Sequence, residues 1–356
     1  MIFIKKMINN QNIINKDLEP YIIAEIGVNH EGSFNKAIEL IDLAKKGGAN
    51  AAKFQSYKAE TLASKDSPSY WDTSKEKTRS QFELFKKYDC FEAKDYLELA
   101  EYCKKIDIDF LSTPFDDSSI DFLTPLIPFF KVASADITNV PFLRKIARKN
   151  KPIVLSTGAA NLSEIDLAVN TIKDISGEFP ALMHCILCYP TRNENANLSM
   201  IKHLKRSFPE SIIGYSDHTI PDDQMTTILS SYLLGAKIIE KHFTDNKKLQ
   251  GNDHYHAMDI NDLIFLKKNI IKIKTLVGNA SYKYPIKEEN ISRKNARRSI
   301  VTNHKMQSNH IIREEDITYK RPGTGISPIF WDEIIGKKIK RNLPGDYLLK
   351  WSDILD

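Results

Sequence analysis

The sequence predicts an α/β protein: a (β/α)8, or TIM, barrel followed by a small β-rich domain. Three observations carry that prediction. From Tyr21 onward, apolar runs of four to six residues alternate with helix-length amphipathic segments, the pattern of βα units on a parallel sheet. Eight such runs occupy about 255 residues, the length of one barrel. At Gly278-Asn279-Ala280 the pattern breaks, and short β-like runs with turn signals follow a polar, Lys- and Glu-rich stretch.

In chain order, the expected strands are 21–26, 51–55, 109–113, 129–133, 153–156, 181–185, 212–215 and 237–241. Helical periodicity is read at 36–46, 94–105, 140–150, 162–174, 224–234 and 260–276. The connection 56–91 is longer than the others and carries Ser67-Pro68-Ser69-Tyr70-Trp71, so it is expected to form a lid or recognition surface. The domain plan is an N-terminal extension (1–20), a barrel (21–281), a linker (282–290) and a terminal domain (291–356). Within the last, 308–317 resembles 344–354, each ending in Asp-Ile, which predicts a duplicated turn-and-strand unit.

Composition narrows the function. The 51 basic and 46 acidic residues leave a net charge of +5 without long basic blocks, which argues against nucleic-acid binding and permits a modest bias to small anions. No apolar run is long enough to span a membrane, and residues 1–20 are too polar for a secretory signal, so a cytoplasmic protein without membrane partners is expected. Cys90, Cys103, Cys185 and Cys188 form no secreted disulfide framework. Cys185-Ile186-Leu187-Cys188 matches a CxxC but begins inside an apolar strand, so buried packing cysteines are expected.

The C-terminal ends of barrel strands line the mouth, and here they are polar. Strand one brings Glu25; strand two brings Lys53 and Gln55 on one face. Strand three ends in Ser112-Thr113, strand four leads through Lys131 to Ser134 and Asp136, and strand five ends in Ser156-Thr157-Gly158. Two lysines among short hydroxyl donors outline a phosphate pocket, whereas either lysine alone reads as a salt-bridged side chain. Strands seven and eight end in His218 and His242, with Ser216 and Glu240 on the same faces. Either histidine alone reads as a packing residue. On neighbouring staves, the two suit a divalent ion with open positions, Mn2+, Co2+ or Mg2+ rather than closed structural zinc. In Gly251-Asn252-Asp253-His254-Tyr255-His256, His254 and His256 fit either further ligands or a solvated loop.

Six motifs, Ile23-Ala24-Glu25-Ile26-Gly27-Val28-Asn29-His30, Lys53-Phe54-Gln55, Ser112-Thr113-Pro114-Phe115, Ser156-Thr157-Gly158, Tyr215-Ser216-Asp217-His218-Thr219 and Glu240-Lys241-His242-Phe243, resemble those of the sialic acid synthase family. Lys320-Arg321-Pro322-Gly323-Thr324-Gly325 and Ile335-Gly336-Lys337-Lys338 resemble that family's C-terminal antifreeze-like (SAF) domain. The resemblance covers about residues 21–356. It implies condensation of phosphoenolpyruvate with an open-chain N-acyl hexosamine, giving a nonulosonic acid and phosphate. It also implies that His218 and His242 hold Mn2+ or a related ion, that Glu25 serves catalysis, and that Lys53, Gln55, Thr113, Lys131, Ser134, Ser156 and Ser216 bind phosphoenolpyruvate. Asp136, Tyr189 and Asp253 match or replace acceptor-sugar contacts. Arg321 matches an arginine that reaches a partner's barrel in a homodimer with swapped SAF domains.

Two departures touch the acceptor pocket. Leu187 stands where the family carries a polar residue two places before the tyrosine, and Asp136 stands where a glutamate is common. N-acetylmannosamine and a diacetamido-trideoxyhexose therefore both remain open as acceptors, as does acceptor phosphorylation. Competing readings are an aldolase using a Schiff base on Lys53, Lys131 or Lys241, and a non-catalytic carbohydrate-binding protein.

Overall fold

The computed structural model describes residues 19–355 apart from Asp72 and Asn252; residues 1–18 of the expected N-terminal extension lie outside the described residues. The chain divides into two compact units, one ending at Gly278 and one beginning at Asn279.

The first unit is the barrel. Its strands are β1 (Tyr21–Gly27), β2 (Ala51–Ser56), β3 (Asp109–Pro114), β4 (Phe130–Val132), β5 (Ile153–Ser156), β6 (Ala181–Cys185), β7 (Ile213–Asp217) and β8 (Ile238–His242). Parallel pairing runs β3-β2-β1-β8-β7-β6-β5-β4, and β3 lies beside β4 without a hydrogen-bonded ladder, so the barrel is nearly closed. Apolar side chains such as Ile22, Phe54, Leu111, Phe130, Leu155 and Ile239 are fully buried, as strands covered on both faces require.

Helices begin and end where local chemistry dictates. Ser33 caps the helix Phe34–Gly47, its Oγ accepting from the Lys36 N–H, and Gly48 closes that helix at φ 91°. Asn161 and Glu164 form a reciprocal capping box on Leu162–Ser176, and Asp259 caps Ile260–Val277. The helix expected at 140–150 stops at Ala147, because Asn150 turns left-handed (φ 52°) ahead of Lys151-Pro152. The strand expected at 129–133 is trimmed to Phe130–Val132, and Ser134–Asp136 form a 3-10 turn that carries two candidate site residues. Connection 56–91 contains the helices Ala59–Leu62 and Gln81–Tyr88.

The expectation for the CxxC pair needs correction. β6 ends at Cys185, which is buried, but Cys188 lies past the strand and is exposed. The strand gives way three residues too early for both to pack. Among the described residues no helix is long and apolar enough to cross a membrane.

The second unit pairs β9 (Ser299–Thr302) antiparallel with β10 (Ile317–Lys320) over a small core that includes Ile300, Met306, Ile312, Ile334, Ile339 and Leu349. Its two similar segments share one device. Buried Asp316 accepts from the Arg313 N–H at 2.8 Å, and buried Asp353 accepts from the Lys350 N–H at 3.1 Å. Each aspartate ends a 3-10 turn and is followed by an isoleucine in extended backbone.

Candidate active site

Register sets the mouth. Glu25 on β1 stands level with Lys53 on β2 and with His242 on β8, while Ser216 on β7 stands level with Glu240 on β8. The alternation of a strand then turns Lys53 and Gln55 inward together, and likewise Glu240 and His242. They open on a cavity of about 600 Å3.

One side of this cavity is a charged cluster. Lys53 and Glu25 form a close ion pair, both 3 % exposed; Lys53 Nζ also donates to Thr113 Oγ1 at 3.0 Å, and Gln55 Nε2 donates to Glu25 Oε1 at 2.9 Å. Lys131 Nζ donates to Ser156 Oγ at 2.7 Å. Glu240 sits between the lysines, 3.8 Å from Lys53 and 3.6 Å from Lys131, and accepts from Ser216 Oγ at 3.2 Å. Ser134 Oγ accepts from the Gly158 N–H at 2.9 Å. A Cβ at Gly158 would lie 2.8 Å from that oxygen, so only glycine lets the β5 turn approach the β4 turn this closely.

Electrostatics follow from this packing. Burial works to neutralise Glu240, yet the Lys131 and Lys53 ammoniums outweigh it and hold the carboxyl below its ordinary value. Burial would lower Lys53 too, but Glu240 and Glu25 overcome it and raise its pKa. For Lys131, burial wins over Glu240, with Lys53 adding repulsion, and its pKa is lowered.

The other side is imidazole-rich. His218 packs on Tyr189 with ring centroids 4.1 Å apart, and its Nδ1 lies 2.9 Å from the Ile186 carbonyl oxygen. The His218 and His242 centroids are 5.6 Å apart. His242 Nδ1 lies 3.3 Å from Asp253 Oδ2; burial opposes the charge of His242, but Asp253 prevails and raises its pKa. Burial and neighbouring His242 push His256 well below the ordinary imidazole value, so it is neutral. His254 is engaged, its Nδ1 2.8 Å from Thr244 Oγ1.

Glu25, His218, His242 and every residue singled out in the sequence as an anion-binding or acceptor candidate line this one cavity, except Arg321, which is exposed in the second unit. Asp136 and Tyr189 also line it, with the Asp136 pKa raised by burial despite Asn139. Sequence reasoning undervalued two features. Glu240 is the hub between the lysines, and its parity with His242 was the available signal. The wall formed by Tyr57, Tyr70, Trp71, Phe85 and Tyr88 comes from connection 56–91 and was foreshadowed only by its length and aromatic content. Lys241, one of three amines considered for a Schiff base, points away from the cavity and binds Asp217 at 2.6 Å and the Thr219 carbonyl at 2.7 Å.

A divalent ion fits this donor set: His218 and His242 face one space, and the buried His242 Nδ1 and Glu240 Oε2 make no hydrogen bond among the described residues. Fold and site together define a (β/α)8 barrel whose mouth joins two buried lysines and their carboxylate partners to a cluster of imidazoles. The NeuB family model matches residues 40–282 and the SAF domain model matches 297–355, so the chain belongs to the NeuB family and carries a C-terminal SAF domain. The N,N'-diacetyllegionaminic acid synthase of Legionella pneumophila is 37 % identical over 341 residues, 94 % of each chain. Its Campylobacter jejuni namesake is 38 % identical over 335 residues, 92 % of this chain and 98 % of the relative. Among solved structures, N-acetylneuraminic acid (sialic acid) synthetase from Leptospira borgpetersenii in complex with citrate is similar, with a TM-score of 0.68 and 33 % identity over 77 % of this chain and 90 % of that one.

Proposed function

We propose that this protein condenses phosphoenolpyruvate with an open-chain N-acyl hexosamine, releasing phosphate and forming a nonulosonic acid. The observation that carries the proposal is the shared cavity of Lys53, Lys131 and Glu240 with His218 and His242. The relatives named as legionaminic acid synthases support the product class.

The chain's own groups account for each step. Lys53 and Lys131 receive the phosphate and carboxylate of phosphoenolpyruvate, with Thr113, Ser134, Ser156, Ser216 and Gln55 supplying short polar contacts. A divalent ion held by His218 and His242, Mn2+ in the first instance with Co2+ or Mg2+ as alternatives, would polarise the acceptor aldehyde and lower the pKa of a bound water. C3 of the enol bonds to the aldehyde carbon, whose oxygen takes up a proton, and C2 becomes electron-poor. The Glu25 carboxylate, fixed by Lys53 and Gln55, stabilises that centre. Water adds at C2 and loses a proton. Cleavage of the bond from C2 to the phosphate oxygen, with transfer of the C2 hydroxyl proton to the departing phosphate, then leaves the 2-keto acid. Asp136, Tyr189 and Asp253 orient the acceptor, and Leu187 gives that pocket an apolar contact. Arg321 is assigned to a partner's barrel in a swapped homodimer.

The test is a panel of aldoses, including N-acetylmannosamine and diacetamido-trideoxyhexoses, each with phosphoenolpyruvate and Mn2+. Phosphate release with a product of matching mass is expected for one of them; no release with any would reject the proposal. For the homodimer, mixing Glu25→Gln with Arg321→Ala subunits is expected to restore activity that neither has alone. A second reading is favoured by one observation: burial depresses the Lys131 pKa, as a Schiff-base amine requires. Borohydride trapping of a keto-acid adduct on Lys131 would support that aldolase instead.

A further inference from the structure

We propose that His256 is a third imidazole ligand of the divalent cation, so that His242, Asp253 and His256 form a three-donor set at the end of β8 while His218 faces the same ion from β7. The inference rests on the reading that this mouth binds a divalent ion.

His256 is 0 % exposed, and among the described residues neither of its ring nitrogens has a hydrogen-bond partner. A buried imidazole with both nitrogens idle is costly and calls for something that satisfies it. The other histidine of the loop, His254, has no such vacancy, because Thr244 engages it. Beside His256 stands His242, ring centroids 4.8 Å apart, whose buried Nδ1 also makes no hydrogen bond. That nitrogen is nevertheless 3.3 Å from Asp253 Oδ2. The two atoms form an ion pair in the absence of metal, and their spacing also suits neighbouring ligands of one ion: bonds of about 2.1 Å at right angles put their donors about 3 Å apart. One ligating atom each from His242, Asp253 and His256 lie within 4.8 Å of one another.

The ring centroids extend the pattern to His218, which lies 5.6 Å from His242 and 6.5 Å from His256. Imidazoles sharing an ion have centroids up to about 6.4 Å apart when opposite each other, so the widest pair lies just beyond that limit and the other two inside it. A set of three nitrogens and one carboxylate favours Mn2+ or Co2+ over Mg2+, which prefers oxygen donors and water. It also gives Asp253 a role at the ion in addition to orienting the acceptor.

Titration calorimetry of Mn2+ into the full-length, metal-stripped protein without phosphoenolpyruvate tests the proposal. His256→Ala is expected to weaken Mn2+ at least tenfold. Wild-type affinity in that variant, with condensation intact in the wild type, would overturn the inference and leave the proposed function standing. No Mn2+ binding by the wild type would overturn both. If His256→Ala does not fold, pulsed EPR of Mn2+ in wild-type protein labelled with 15N-histidine decides: three coordinated imidazoles are expected, and two would refute the assignment.

Discussion

The barrel buries two lysine–carboxylate pairs on neighbouring strands, and they are built to different ends. Lys241 and Asp217, on the outward faces of β8 and β7, are fully buried and fully satisfied. Asp217 accepts from Tyr215 Oη, from the Thr219 N–H and from Thr219 Oγ1, while Lys241 adds the Thr219 carbonyl. Lys53 and Glu25, on the inward faces of β2 and β1, share Glu240 with a second lysine, and among the described residues Glu240 Oε2 makes no hydrogen bond. The outer pair is closed and the inner one keeps capacity for a ligand. Burial of charge alone does not distinguish a site from a scaffold; incomplete satisfaction around a cavity does.

Four substitutions probe this contrast, the largest effect first. Lys241→Met strands the Asp217 charge with no cavity to hydrate it and is expected to cost about 3–5 kcal/mol of stability in chemical denaturation, with the folded fraction remaining active. Lys53→Met opens onto the cavity, where water can reach Glu25, so the main loss is expected in kcat/KM, about 10²–10³-fold. Equal melting losses for the two would erase the distinction.

A third test uses acid. Burial raises the Asp217 pKa, but Lys241 and the hydrogen bonds more than reverse this and hold it below its ordinary 3.8. The native state then binds fewer protons than the unfolded chain. The stabilisation is thus present above the unfolded value and fades as pH falls through the folded one. The stability gap between wild type and Asp217→Asn is expected to narrow from pH 6 to pH 3 in urea titrations; a constant gap would mean the pair carries no charge-dependent stability. Smallest is Ser216→Ala, which removes one donor to Glu240 and is expected to raise KM for phosphoenolpyruvate about tenfold, roughly 1.4 kcal/mol.

Much of the mouth was legible because parity is a strong constraint. Once an apolar run is read as a barrel strand, its last inward residues are fixed, and Glu25, Lys53, Lys131, Ser156, His218 and His242 follow. Loops obey no such period. Nothing local in Gly251-Asn252-Asp253-His254-Tyr255-His256 says that His254 turns to Thr244 while His256 is sealed beside His242, because both placements depend on where the chain goes after β8. The aromatic wall was hidden for the same reason. The depth of Cys188 was misjudged because strand length, the least certain quantity in such a reading, decided it.

The twin aspartates of the SAF unit have a consequence for how so small a body holds its shape. It has little core, and its cysteines are none: all four lie before residue 279, so no disulfide can brace it. Asp353 fastens the Lys350 N–H to Arg341, and Asp316 fastens the Arg313 N–H to His304 and His310. Each carboxylate thus clips together stretches of chain that are apart in sequence, as a disulfide would. These clips need no oxidant and can reform after every unfolding, so the unit is braced in a way that a reducing environment leaves intact.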